Sequence, residues 1–324
     1  MAASLEVDVA PPSPFRMPRW GGEDRVMRLR DGVATRLLHV DGSPVLVRAW
    51  QTVRPLVRFR AEPVDPGAVA SAFDACELPQ RPAGSAELEI ATERMRFALG
   101  VDDDLTEFYR RFRRDPLLGP LLRRRPHLRP QRRPWAWEAL AWAVVKQLIE
   151  TGMAARIQRR MVGRWGLRLG CECRASKQAS LVRCAASEAR AIHCDRGSLR
   201  DVPAAGVIAG RAPAELESMG LALRRAIALR AIARQISAGR CDPARPSADA
   251  HLLRVPEIGP WTVQCLGLFG RGEPDSLPAG DLMYLKLVGR LAGLGRRATV
   301  EEVEEFYAPY APFRGLAATW TMGL

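Results

Sequence analysis

Between residues 25 and 60, apolar and polar side chains alternate in short runs. These runs (Val26–Arg30, Val33–Val40, Pro44–Trp50 and Pro55–Arg60) have the two-residue period of half-buried strands. Asp31-Gly32 and Asp41-Gly42 separate the first three, and an Asp-Gly pair between alternating runs is a strong short-hairpin signal. An antiparallel sheet of three or four strands is expected, with Arg28, Arg30, Arg36 and Arg48 on its solvated face. After Pro63 the spacing changes to three and four residues, the helical period. A short helix is expected near Pro66–Cys76 and a longer one over Ala86–Leu99. Asp102-Asp103-Asp104 reads as a charged helix start, because carboxylates are favoured in a first turn and the run lacks the alternating spacing of a calcium loop. Arg110–Arg133 is dense in Arg and Pro and reads as short helices and turns. Trp137, Ala141, Val144, Val145 and Leu148 fall on one helical stripe, which makes Leu148 a core residue by periodicity. Leu221–Gly239 is an amphipathic helix whose basic face carries Arg224, Arg225, Arg230 and Arg234, and Thr299-Val300-Glu301-Glu302 opens a later helix as a capping box. The class implied is α+β, mostly α, with a small antiparallel β-rich N-terminal subdomain at 23–85. A Pro/Ser/Gly-rich lead-in (1–22) precedes it and a helical region (86–324) follows.

Composition adds a partner class. The 49 Lys+Arg against 36 Asp+Glu leave a net charge of +13. That suits a polyanion, although a genome rich in Arg codons produces the same excess. The 7 Cys, with no basic and then apolar N-terminal segment, point to reduced thiols in a cytoplasm. No apolar run reaches the roughly 18 residues of a membrane helix, so no membrane partner is expected.

One stretch concentrates the candidate chemistry. Leu252–Asp281 begins with the apolar end of a helix, passes through Val255-Pro256-Glu257-Ile258-Gly259-Pro260, and enters a second apolar helix over about Trp261–Phe269. A Gly/Pro-rich link then delivers Asp281 to the head of another helix. Gly259 is the expected positive-φ position of the turn, and Thr262 is placed to start the second helix. Such a turn aims backbone N–H groups outward at a helix N-terminus, where a phosphate can bind whatever the base sequence. Taken alone, Asp281 is an ordinary helix N-cap.

The hairpin Pro256–Thr262, reading Pro-x-Ile-Gly-x-Trp-Thr, and Leu277-Pro278-Ala279-Gly280-Asp281 behind it resemble the helix–hairpin–helix DNA glycosylases, in particular the 3-methyladenine DNA glycosylase II type. The resemblance spans roughly the whole chain and is sharp over Trp135–Ile149 and Leu252–Gly289. It implies a helix–hairpin–helix glycosylase fold, with the hairpin at 245–270. It makes Asp281 the catalytic carboxylate and Val255, Pro256, Ile258, Gly259, Trp261 and Thr262 the DNA-binding hairpin. Gln147 and Leu148 in Lys146-Gln147-Leu148-Ile149 become the polar neighbour and the wedge at the gap left by an extruded nucleotide. Trp261 and Trp320 become walls of the base pocket. The carbonyls of Leu253, Val255 and Ile258 become a site for a monovalent, non-catalytic cation. Relatives that also cut the strand carry Lys where this chain has Trp261, so base removal without strand cleavage is implied.

The expected activity is hydrolysis of the N-glycosidic bond of alkylated purines such as 3-methyladenine and 7-methylguanine. The substrate is double-stranded DNA with damaged bases, attacked by a monomer of the cytoplasm and nucleoid that needs no cofactor. Two rivals stay open: a glycosylase for oxidised or deaminated bases, and a helix–hairpin–helix protein that binds DNA without chemistry. Three features depart from the family pattern. Glu257 stands where a first hairpin Gly is usual, and Cys265 stands where a Tyr often occurs. Residues 166–201 form an insertion holding Cys171, Cys173, Cys184, His193 and Cys194, whose spacing fits no common zinc finger or iron–sulfur loop and which reads as a surface insertion.

Overall fold

A computed structural model describes residues 4–52, 56–70, 81–169 and 199–322. The chain forms two compact units. The first comprises Met1–Val9, Met17–Glu93 and Ala155–Val207; the second comprises Ala10–Arg16, Arg94–Ala154 and Ile208–Leu324. This division differs from the expected one, because residues 155–169 and 199–207 belong with the sheet and not with the helical region. The Cys171–Cys194 segment lies outside the described residues.

The first unit is built on an antiparallel sheet of five strands: β1 (Leu5–Val9), β2 (Met27–Arg30), β3 (Val33–Val40), β4 (Ser43–Gln51) and β5 (Val57–Pro63), in the order β1-β5-β4-β3-β2. Both Asp-Gly pairs form the expected two-residue turns. Asp31 and Gly32 have φ of 49° and 80°, Asp41 and Gly42 of 47° and 79°, and two consecutive positive φ values match the twist of the flanking strands. Residues 1–22 are not wholly a loose lead-in. Leu5, Val7 and Val9 alternate with Glu6 and Asp8, and the registration sets Glu6 opposite Arg60 and Asp8 opposite Arg58. Arg58 grips Asp8 through two bonds of 2.7 Å. Opposite charges facing each other across a strand pair fix this edge. Pro66–Ala68 is a 3-10 turn and Val69–Ala70 is a short strand (β6) paired with β7 (Arg168–Leu169), so no helix begins at Pro66. The rest of that expected helix lies outside the described residues.

Arg36 also departs from expectation. It is 3% exposed and its guanidinium lies 3.5 Å from Asp201, itself 1% exposed and also bonded to His39 Nδ1. Burial pushes the Asp201 carboxyl upward, but the charge and hydrogen bond of His39 and the charge of Arg36 more than offset it, leaving it below the usual carboxylate value. The strand period placed Arg36 correctly; its face was misread, because the covering residue comes from more than 160 positions away.

The second unit is helical. It contains α2 (Thr106–Phe112), α3 (Leu118–Arg124), α4 (Ala136–Lys146), α6 (Ala205–Ala209) in part, α7 (Pro213–Ser218), α8 (Leu223–Ser237), α9 (Asp249–Leu252), α10 (Pro260–Leu266), α11 (Leu282–Leu291), α12 (Val300–Tyr307) and α13 (Arg314–Thr321). The division between the units falls inside α1 (Ser85–Leu99) and α5 (Thr151–Trp165). Thr299 and Glu302 form the expected capping box of α12. An aromatic cluster of Phe108, Phe112, Tyr307, Tyr310 and Trp320 fills part of the core. The Asp run is held by protein partners: Asp103 takes Arg132 in a two-point ion pair at 2.6 and 2.7 Å, and Asp104 accepts the Thr106 N–H at 2.9 Å. No helix among the described residues is long and apolar enough to cross a membrane.

Asp201 supplies a direct test of this packing. Asp201→Ala removes the buried carboxylate that both Arg36 and His39 meet and lowers the unfolding free energy by about 3–5 kcal/mol, measured by denaturant titration. Because the folded-state carboxyl sits below its unfolded value, its stabilisation is complete above the unfolded carboxylate value and is lost as pH falls through the folded one. The gap between wild type and variant therefore closes on acidification.

Candidate functional site

The hairpin is a tight reversal between α9 and α10. Val255 and Ile258 are buried and pin it to the unit, and Pro256 and Glu257 are exposed at its tip. The Ile258 N–H donates to the Val255 carbonyl at 3.0 Å, closing a four-residue turn. Pro256 holds the second position, where its fixed φ suits the turn. The third position has φ of 70°, and it is Glu257. Gly259, at φ −107° and ψ 179°, is instead the extended N-cap of α10. The expected positive φ therefore falls two residues earlier than Gly259, at a side-chain-bearing residue, where the left-handed conformation costs about 1–2 kcal/mol. A Cβ built on Gly259 would meet nothing within 4 Å, so the backbone there faces open space. The Glu257 carboxylate turns to Arg224 at 3.9 Å, which limits the repulsion an anion at the tip would meet.

Asp281 is the N-cap of α11, and Oδ1 accepts the Met283 N–H at 2.9 Å. Oδ2 accepts the indole N–H of Trp261 at 3.3 Å. An ionised carboxylate has about four acceptor positions, so these two bonds orient it and leave capacity for a further partner. Buried Leu277, Pro278 and Ala279 form the approach, and half-buried Asp281 follows exposed Gly280. Cys265 and Tyr284 feel the Asp281 charge. Burial chiefly, and that charge in addition, push both well above their ordinary values. Both groups stay neutral, and Cys265 is no nucleophile. Tyr284 was missed in the sequence, although its position three residues after an N-cap puts it near the carboxylate face of the same helix.

Leu148 is not a core residue. The helix stops at Lys146, and Leu148 is 97% exposed with φ of 54°. The helical stripe therefore misplaces it: the period holds only while the helix lasts. Gln147 is turned toward the hairpin. Its amide donates at 2.8 Å to the carbonyl of Glu257 and at 2.8 Å to Thr262 Oγ1. Thr262 is fully buried and serves this bond, not a helix cap. Trp320 does not join the group. It is 0% exposed, its ring centroid 5.2 Å from that of Phe108, and the inward stripe of α13 carries it into the aromatic core.

The hairpin residues, Gln147, Leu148, Trp261 and Asp281 thus form one connected group, and Trp320 lies outside it. The carbonyls of Leu253, Val255 and Ile258 are all on the hairpin; that of Val255 already accepts one N–H, which leaves one lone pair for a cation. Among the described residues, no group of His, Cys, Asp and Glu is placed to hold a metal ion.

A largely helical unit built around such a hairpin is the architecture of the helix–hairpin–helix glycosylases. The fold superposes on a 3-methyladenine DNA glycosylase from Archaeoglobus fulgidus with a TM-score of 0.71 at 19% identity, covering 98% of this chain and 96% of that one. It also superposes on an 8-oxoguanine glycosylase/lyase from Clostridium acetobutylicum, solved with double-stranded DNA, with a TM-score of 0.58 at 13% identity over 91% and 96%. In sequence, the chain is 23% identical to a DNA-3-methyladenine glycosylase of Bacillus subtilis over 223 residues, 67% of this chain and 66% of that protein. Across the curated relatives it matches, the chain spans between 43% and 66% of their length. No family profile matches it. The fold is thus that of the helix–hairpin–helix glycosylases, and the sequence is similar to that of 3-methyladenine glycosylases.

The left-handed Glu257 leads to a stability prediction. Glu257→Gly relieves the backbone strain, and after the entropy lost by glycine it raises the unfolding free energy by up to about 1 kcal/mol. Denaturant unfolding reads this directly, and a loss of more than about 1 kcal/mol would mean that the exposed pair with Arg224 outweighs the strain.

Proposed function

We propose that this protein is a monofunctional DNA glycosylase that removes alkylated purines, such as 3-methyladenine and 7-methylguanine, from duplex DNA. The carrying observation is the bond from Trp261 to Asp281, which ties a carboxylate with spare acceptor capacity to the phosphate-binding type of hairpin. A glycosidic bond inside a duplex is out of reach until its nucleotide leaves the stack. In this reading the hairpin, from Val255 to Thr262, takes the backbone phosphates on its outward N–H groups. Leu148 fills the vacated space, which suits a fully exposed leucine better than any packing role.

As the bond between sugar C1′ and the base nitrogen breaks, positive charge builds on the sugar and the electron pair leaves with the base. A fixed carboxylate at Asp281 stabilises that charge and accepts a proton from the attacking water, whose oxygen bonds to C1′. A cationic alkylated purine leaves without prior protonation, and electron-rich rings such as Trp261 favour such a cation. The reaction needs no cofactor, and the enzyme acts on damaged duplex DNA as a monomer of the cytoplasm and nucleoid. The residue at which a strand-cutting relative would form a Schiff base is Trp261, whose indole N–H is not a nucleophile, so the strand stays intact.

Incubation with methylated duplex DNA tests this reading. Free 3-methyladenine or 7-methylguanine should appear, strand breaks should require subsequent alkali, and borohydride should trap no covalent complex. Release of 8-oxoguanine alone, or breaks without alkali, would move the assignment to oxidised bases or to a strand-cutting enzyme. Tight duplex binding with no base released from any of these substrates would leave a binding protein.

A further inference from the structure

Leu148 is a bulky exposed residue in a backbone conformation that leucine rarely adopts, and something must hold it there. Its predecessor shows what does. The carbonyl of Gln147, just past the end of α4, accepts a hydrogen bond from the guanidinium of Arg225 in the first turn of α8. A carbonyl at a helix end has no intrahelical donor, and Arg225 supplies a charged one. The Gln147 side chain meanwhile reaches the opposite way, to the Glu257 carbonyl and the Thr262 hydroxyl. Gln147 is thus fixed at both its main chain and its side chain, with Leu148 projecting next to it. The neighbouring Arg224 extends to the Glu257 carboxylate. Two consecutive arginines of one helix turn therefore address the two loops that the proposed reaction must move together on DNA.

We propose that Arg225 is a positioning residue. By holding the Gln147 carbonyl it fixes the backbone at Leu148, and through the Gln147 amide it couples the wedge to the hairpin as one rigid unit. This rests on the wedge and hairpin roles given above. It predicts a residue whose loss impairs insertion into the helix without impairing attachment to it. A phosphate-binding arginine would behave otherwise, since its loss weakens attachment to any duplex.

The test uses the full chain and a duplex carrying a tetrahydrofuran abasic analogue beside 2-aminopurine, whose fluorescence rises when it is unstacked. Arg225→Met should lower the apparent affinity read by the fluorescence rise about tenfold, the order expected for one hydrogen bond to a charged group. Affinity for undamaged duplex, read by anisotropy, should stay within about twofold. Arg225→Lys, which restores a donor without the planar fork, should recover part of the loss. Gln147→Met should resemble Arg225→Met, and the double variant should lose little more than either, because the two act through one link. Thermal melting identifies any variant that fails to fold, and the Gln147 variant then carries the comparison.

An unchanged fluorescence response in Arg225→Met, or a parallel loss on undamaged duplex, would overturn the positioning role. So would a wild type that binds the duplex without unstacking it. A wild type that unstacks the duplex but releases no base would retire the proposed reaction and leave the positioning role standing.

Discussion

The short reversal at Val255–Ile258 is the constraint on which the rest of the site depends. It is closed by one backbone hydrogen bond, pinned by two buried apolar residues and completed by a glutamate in the left-handed region. Every other element of the site is fastened to it or to the helix it starts. Gln147 bonds to the Glu257 carbonyl, and Asp281 is reached by Trp261 from the first turn of α10. In the proposed reaction the hairpin therefore does more than offer N–H groups to a phosphate. It sets the spacing between an exposed leucine and an oriented carboxylate, and a reaction on an extruded nucleotide depends on that spacing.

Much of this arrangement was legible in the amino-acid sequence, for reasons that are local. Asp-Gly pairs specify two-residue hairpins by backbone sterics alone, and both formed as expected. Asp281 at a helix head needs only its position in the chain, and Thr299 with Glu302 needs only a spacing. The misreadings came where distant segments decide. Strand period puts Arg36 toward solvent because Asp201, the distant carboxylate it meets, cannot be foreseen from that period. Leu5–Val9 alternates correctly but needed Arg58 and Arg60 to secure it as an edge strand. Leu148 continued the stripe of α4 in sequence but not in space, since the helix ends two residues earlier. The family resemblance makes Trp320 a pocket wall, but it is packed into the aromatic core.

Glu257 shows how a departure from a family pattern can be accommodated. The turn needs a positive φ, which glycine accepts without steric strain and glutamate does not. The chain keeps the backbone shape nonetheless, because Pro256, the Val255–Ile258 bond and the Gln147 amide all act on the same few atoms. Arg224 beside the carboxylate addresses its charge. Strain at Glu257 and at Leu148 lies within one hydrogen-bonded cluster, the distribution expected where a binding or reacting geometry is held by its surroundings.

The central claim is that Asp281 acts in the bond-breaking step and not only as a helix cap. Single-turnover base release from methylated duplex, measured beside duplex affinity for wild type and Asp281→Asn, tests it most directly. Asparagine still caps a helix well and can keep the bond to Met283. The account predicts a release rate at least about 100-fold lower, the scale of losing one preorganised electrostatic group, with affinity for damaged duplex undiminished. Equal rates in the two proteins would contradict it and reduce Asp281 to a cap.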